Sequence, residues 1–159
     1  SAALAAACVG MELGLTDAQI AAGVAKYAPV GRRTSVIRTG SITIIDDCYN
    51  ANPTSANLAI DSASDLGGRL VCILGDMLNL GPDSANMHRE VGERALSHGA
   101  LLLTAGEESR VMGGTHFDTR DELIAALPEH ICPGDTILVK ASHAMGFEAV
   151  TEALKELFK

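Results

Sequence analysis

The sequence predicts an α/β fold: a mainly parallel sheet with helices on both faces and a short antiparallel edge strand. Three observations carry this reading. RLVCILG (69–75), ALLLTAG (100–106) and PGDTILVKAS (133–142) contain near-continuous apolar runs, as expected of strands covered on both faces. Segments with helical spacing separate them, and alternating strands and helices imply crossovers that build a parallel sheet. TSVIR (34–38), the turn TG and SITIIDDCY (41–49) read as a hairpin that adds one antiparallel strand at the edge.

The bulk properties fit a folded domain. The chain has 159 residues, 47% of them hydrophobic, which is enough for a core and too many for a disordered chain. The net charge of −8 and pI near 5.0 argue against nucleic acid, which selects clustered Lys and Arg. Aromatic residues at 3% leave little for base-stacking platforms. The apolar run at the start is too short to span a bilayer and has no basic flank, so no membrane partner is expected. Cys8, Cys48, Cys72 and Cys132 lie far apart with no C-x-x-C and read as buried free thiols of a reducing cytosol.

In chain order, AALAAACVGMELG reads as a helix ending at Gly14, and LTDAQIAAGVAKYAP as a second one. Thr16 is its expected N-cap, with Pro29 just past its end. Two helices cannot bury their faces alone, so these are expected to belong to a preceding domain or to pack on the next one, and VGRR (30–33) reads as a linker. The start within an apparent helix suggests a fragment of a longer chain. After the hairpin, PTSANLAIDSASDL is a helix with Pro53 or Thr54 near its start. DSANMHREVGERALSHG is a helix ending at Gly99, and THF (115–117) is a short further strand. TRDELIAALPEH is a helix with a Thr119–Glu122 capping box, and AMGFEAVTEALKELFK is a final amphipathic helix.

Ligands of open parallel sheets bind beyond the carboxyl ends of the strands. Those ends carry Asp46, Asp47 and Tyr49, then Gly75 and Asp76, then Gly106 and Glu107, and finally Lys140, Ser142 and His143. The polar stretch DDCYNANPTS therefore sits on the lip of an expected ligand crevice. Local readings stay open for each residue. Asp46 and Asp47 could cap a turn, Asn50 and Asn52 suit turns by themselves, Asp76 could be a turn residue, and Lys140 a solvated strand end. The histidines show no metal-ligand spacing. No G-x-G-x-x-G, G-x-S-x-G or G-x-x-x-x-G-K-[ST] is present, so nucleotide chemistry by this chain alone is not expected.

GR at 31–32, IIDDCYNANPTS at 44–55, ILGDMLNLG at 73–81 with His88 beyond, and LVKASHAMGFEAV at 138–150 together resemble the bacterial Mur ligases. The Y-N-A-N-P form is similar to the branch of that family that adds a dipeptide. The resemblance implies the family's C-terminal, Rossmann-like domain at 31–159 and the last helices of its central ATP-binding domain at 1–30. It implies ATP and Mg, with the phosphate loop, carbamylated lysine and magnesium ligands upstream. It also implies an ATP-dependent reaction in which an acyl phosphate of UDP-N-acetylmuramoyl-tripeptide is attacked by the amine of D-Ala-D-Ala.

Carried over by position, Arg32 reaches the nucleotide phosphates, Asp47 the ribose, and Tyr49 and Asn50 the nucleotide side. Asn52, Ser55, Asp76, Lys140, Ser142 and His143 fall on the substrate side, with Lys140 the expected cation for the dipeptide carboxylate. No catalytic residue and no metal ligand are implied within this chain. A cytoplasmic monomer is expected. The sequence departs from the family pattern at Cys48, where serine is common, at NLG (79–81), and at Ala141 and His143 in place of a Gly-Ser-Arg-type run. A histidine can replace an arginine there only in part, since it carries charge only when protonated. Two alternatives remain: a non-catalytic small-molecule-binding module, and another ligase of the same superfamily, against which Y-N-A-N-P weighs.

Overall fold

The structure, a computed structural model, describes residues 2–26 and 34–159. The chain divides into two compact units, Ser1–Val30 and Gly31–Lys159. Pro29 and the whole of the expected linker at 30–33, including Arg32, lie outside the described residues.

The first unit holds α1 (Ala2–Glu12) and α2 (Asp17–Ala25). Thr16 is the N-cap of α2 as expected. Its side chain accepts from the Gln19 N–H while the Gln19 side chain accepts from the Thr16 N–H, so two otherwise orphaned donors are satisfied. Gly10 lets Ile20 close on α1, because an added Cβ would lie 2.9 Å from Ile20 Cγ1. Leu4, Val9, Met11 and Leu13 stay exposed.

The second unit runs β1 (Ser35–Arg38), β2 (Thr43–Asp46), α3 (Pro53–Ser64), β3 (Leu70–Gly75), α4 (Ser84–Ser97), β4 (Leu101–Ala105), β5 (Thr115–Phe117), α5 (Arg120–His130), β6 (Thr136–Lys140) and α6 (Glu148–Leu157). The sheet order is β1-β2-β6-β3-β4-β5. Among the described residues only β1 and β2 pair antiparallel; every other neighbouring pair is parallel. The expected class, a mainly parallel sheet with an antiparallel edge strand, is the one observed.

Strand alternation builds the two layers, because successive side chains point to opposite faces. Ile44, Val71, Ile73, Leu103, Ile137 and Val139 pack with Leu123 and Leu127 of α5 and Val150 and Leu154 of α6. Their neighbours Ile45, Cys72, Leu74, Leu102 and Leu138 pack on the other face with Ala56, Ile60 and Ala63 of α3 and Val91 and Ala95 of α4. Burying each such Ile or Leu contributes about 1.5–3 kcal/mol relative to exposure.

The four cysteines are free, but only Cys48 and Cys72 are buried. Cys8 lies on a helix whose surface is largely exposed and Cys132 in the loop after α5, so the expectation of buried thiols fails for those two. Burial pushes the Cys72 thiol up to about 12, because a thiolate loses its hydration there.

Candidate functional site

The sheet order places β6 between β2 and β3, so the chain's last strand ends beside its second. Asp46 is in register with Val139, and the Asp47 N–H extends that ladder by donating to the Val139 carbonyl at 3.0 Å. Lys140 follows Val139 directly. Its side chain is 2% exposed, and Nζ lies 2.5 Å from Asp47 Oδ2 and 2.8 Å from the Asn50 carbonyl oxygen. Lys140 is thus not a solvated strand end. Its ammonium is committed to the loop after β2.

The other oxygen of Asp47 is also engaged. Oδ1 accepts from the Thr34 N–H at 3.0 Å and the Thr34 hydroxyl at 3.3 Å. Thr34 adopts φ +53°, an uncommon conformation for a β-branched residue. Asp46 is buried, and its Oδ1 accepts from the Cys48 N–H.

An open cleft of about 430 Å³ lies over this pair, lined by Thr34, Asp47, Tyr49, Asn50, Asn52, Ser55, Leu58, Ala59, Ser62 and Lys140. Six residues named from the sequence therefore meet in one place. Thr34, Leu58, Ala59 and Ser62 were not among them. Their signal was available for α3, because 55, 58, 59 and 62 follow the i, i+3, i+4, i+7 spacing of one helix face.

Two of the polar residues in the cleft also serve the fold. Asn52 caps α3: its Oδ1 accepts from the Ser55 N–H at 2.9 Å, and the Asn52 N–H donates to Ser55 Oγ at 3.2 Å. Pro53 occupies the first helical turn, where its missing N–H costs nothing. The ladder, the cap and the Lys140 pair together hold the loop between β2 and α3 at both ends.

Asp76, Ser142 and His143 are not among the residues that line this cleft. Asp76 is 5% exposed, and its carboxylate accepts from the Glu107 N–H at 3.1 Å and the Ser109 N–H at 2.8 Å. It organises the loop after β4. Gly106 (φ +131°) makes this possible, since an added Cβ would lie 2.3 Å from Asp76 Oδ1. Ser142 ties its loop to that of Asp76. Its N–H donates to the Asp76 carbonyl at 3.0 Å, and its hydroxyl accepts from the Leu78 N–H at 2.9 Å. His143 is exposed and reaches the cleft rim through Tyr49, with ring centroids 5.9 Å apart. Buried His88 accepts the Met77 N–H at Nε2 (2.9 Å), which leaves Nδ1 as the donor to the Ser84 carbonyl (2.8 Å). It is a satisfied structural histidine. Among the described residues no three His, Cys, Asp or Glu side chains form a metal-binding group, and no helix is long and apolar enough to cross a membrane.

Comparison with known proteins extends this geometry. The family described as "Mur ligase, glutamate ligase domain" matches residues 32–143. The UDP-N-acetylmuramoyl-tripeptide–D-alanyl-D-alanine ligase of Bacillus subtilis is 33% identical over 97% of this chain and 37% of its own length. The ligase of the same name from Escherichia coli is 36% identical over 97% of this chain and 36% of its own length. Among solved structures, the MurF ligase of Thermotoga maritima in complex with ADP matches with a TM-score of 0.81 at 27% identity, over 94% of this chain and 36% of that one. A MurF of Acinetobacter baumannii matches with a TM-score of 0.84 at 26% identity, over 97% of this chain and 36% of that one. The chain therefore spans a little over a third of the length of the relatives it matches. With the family match covering most of the second unit and the D-D-x-Y-N-A-N-P loop lining its cleft, the chain belongs to the Mur ligase family.

Proposed function

We propose that this chain is the C-terminal part of an ATP-dependent amide ligase that joins D-Ala-D-Ala to UDP-N-acetylmuramoyl-tripeptide in peptidoglycan precursor synthesis. The observation that carries the proposal is the cleft that unites Asp47, Tyr49, Asn50, Asn52 and Ser55 at the carboxyl edge of the sheet. Its support is the pair of relatives named for that reaction. In this reading residues 1–30 are the last helices of the central ATP-binding domain and 31–159 the Rossmann-like domain that closes on it.

The chemistry asked of this domain is placement and exclusion of water. An acyl phosphate hydrolyses when water reaches it, so a closing domain protects it while the dipeptide amine is brought into line. Asp47 accepts a ribose hydroxyl as a charge-assisted hydrogen bond, and Arg32 reaches the phosphates. Tyr49, Asn50, Asn52 and Ser55 form the boundary towards the dipeptide, with His143 at the rim. Asp76 and Ser142 shape the loops behind it. The magnesium that accompanies ATP has no ligand cluster among the described residues, and none of these roles depends on it. The complete enzyme is read as a cytoplasmic monomer.

The test is ADP release by the complete ligase with each substrate omitted in turn. Release that requires both UDP-N-acetylmuramoyl-tripeptide and D-Ala-D-Ala is expected. Release that is indifferent to D-Ala-D-Ala, or dependent on a free amino acid in its place, overturns the assignment.

A further inference from the structure

We infer that Lys140 is a positioning residue for the nucleotide side of the cleft: its ammonium fixes the Asp47 carboxylate and the Asn50 carbonyl and does not itself reach the dipeptide. The inference rests on the ligase reading above and adds a role for the residue that links the last strand to the cleft loop.

Three observations lead to it. The Lys140 side chain is 2% exposed while that of Asp47 is 13% exposed. The cation is therefore withdrawn and the carboxylate is the member of the pair that can still meet a ligand. An ammonium has three donors and no acceptor; here one goes to Asp47 Oδ2 at 2.5 Å and another to the Asn50 carbonyl oxygen at 2.8 Å. One buried group thus sets both the acid and the turn of the loop. The third observation is the grip from the opposite side. Thr34 donates its N–H and hydroxyl to Oδ1, so each carboxylate oxygen has its own fixed donor and the carboxylate plane cannot rotate freely. A carboxylate offers about four acceptor sites, and with three taken here one remains, on Oδ2, for a ligand hydroxyl. A carboxylate held ready in this way accepts a ligand hydroxyl without first having to be ordered, which is the advantage of a prearranged site.

A cation that contacted the dipeptide would make the opposite prediction, because its loss would fall on the dipeptide. The experiment uses the complete ligase with Lys140→Met, Lys140→Arg, Asp47→Asn and the Lys140→Met/Asp47→Asn double variant. Steady-state kinetics are measured with ATP and D-Ala-D-Ala varied separately. Lys140→Met is expected to raise KM for ATP by about tenfold or more, with KM for D-Ala-D-Ala within about twofold of the starting enzyme. Lys140→Arg, which still donates to a carboxylate, is expected to keep KM for ATP within about threefold. The double variant should be no worse towards ATP than Asp47→Asn alone, since a residue acting through Asp47 has nothing left to position.

Should Lys140→Met fail to fold because it leaves a carboxylate unpaired, the double variant removes both charges. Its comparison with Asp47→Asn then still decides the matter. A larger effect on D-Ala-D-Ala than on ATP, or ATP effects that multiply in the double variant, overturns the inference. An unsubstituted ligase that shows no D-Ala-D-Ala-dependent ADP release contradicts the ligase reading instead, so the two failures are distinguishable.

Discussion

Asn52 lines the cleft and caps α3 at the same time. The cap alone explains an asparagine before a proline-led helix, without any ligand. Replacing it with alanine orphans the Ser55 N–H, and a lost cap of this kind costs about 0.5–2 kcal/mol. Asn52→Ala is therefore expected to lower the urea midpoint with an unchanged slope, and Asn52→Asp to recover most of it; equal losses in both variants would contradict the cap. At this scale the sequence was only partly legible. Thr119 announces its cap because cap and partner lie three residues apart, whereas Asn52, read from the sequence only as a turn residue, has its partner at the same spacing and proves to be the cap of α3. The Lys140–Asp47 pair joins residues 93 positions apart, so only the sheet order could reveal it. The same holds for Asp76, whose acceptor role depends on Glu107 and Ser109 more than thirty positions away.

The strands were legible because burial on both faces leaves a continuous apolar run, and the helices because their apolar positions repeat with helical spacing. Three short 3-10 turns, Gly81–Asp83, Ser109–Met112 and His143–Met145, were not, since they have neither period. The last of them delays the final helix, which begins at Glu148 and not within the preceding AMG stretch. The second of these turns is packed hard against α4. An added Cβ at Gly92 would lie 2.0 Å from the Met112 carbonyl oxygen, and backbone cannot yield as a flexible side chain does. Gly92→Ala is expected to destabilise the second unit by about 1–3 kcal/mol, even though alanine is the better helix former. Urea denaturation checks this, and an unchanged or raised midpoint would show that the contact is not as close as described.

At the scale of the whole molecule, strand–helix alternation and one hairpin were enough to give the class, but not the insertion of β6 between β2 and β3 on which the cleft depends. That insertion is a long-range pairing with no local signature. Stability of the whole should also respond to pH through His116. Burial first, and then the nearby Arg110 charge, lower its pKa below the ordinary 6.5, against smaller opposing effects of Asp118 and Asp76. The folded imidazole therefore resists a proton that the unfolded chain takes up. Below about pH 6.5 the unfolded state binds more protons, so stability falls with pH until the folded pKa is passed, and above that range the difference vanishes. Thermal midpoints between pH 8 and 5.5 should fall less steeply in His116→Asn than in the unsubstituted chain; identical slopes would remove His116 from this role.

The central claim is that the nucleotide meets this domain at the cleft formed by the β2 and β6 ends. Hydrogen–deuterium exchange of the complete ligase, with and without a non-hydrolysable ATP analogue, tests it without any substitution. Exchange reports local opening peptide by peptide. The prediction is slowed exchange in peptides covering 46–58, which hold Asp47 to Leu58 of the cleft. Peptides covering 38–43 and 132–136, around the second depression formed by Arg38–Thr43, Gly134 and Asp135, should change little. Slowing confined to those latter peptides, or no change at 46–58 while the analogue is bound, would contradict the claim.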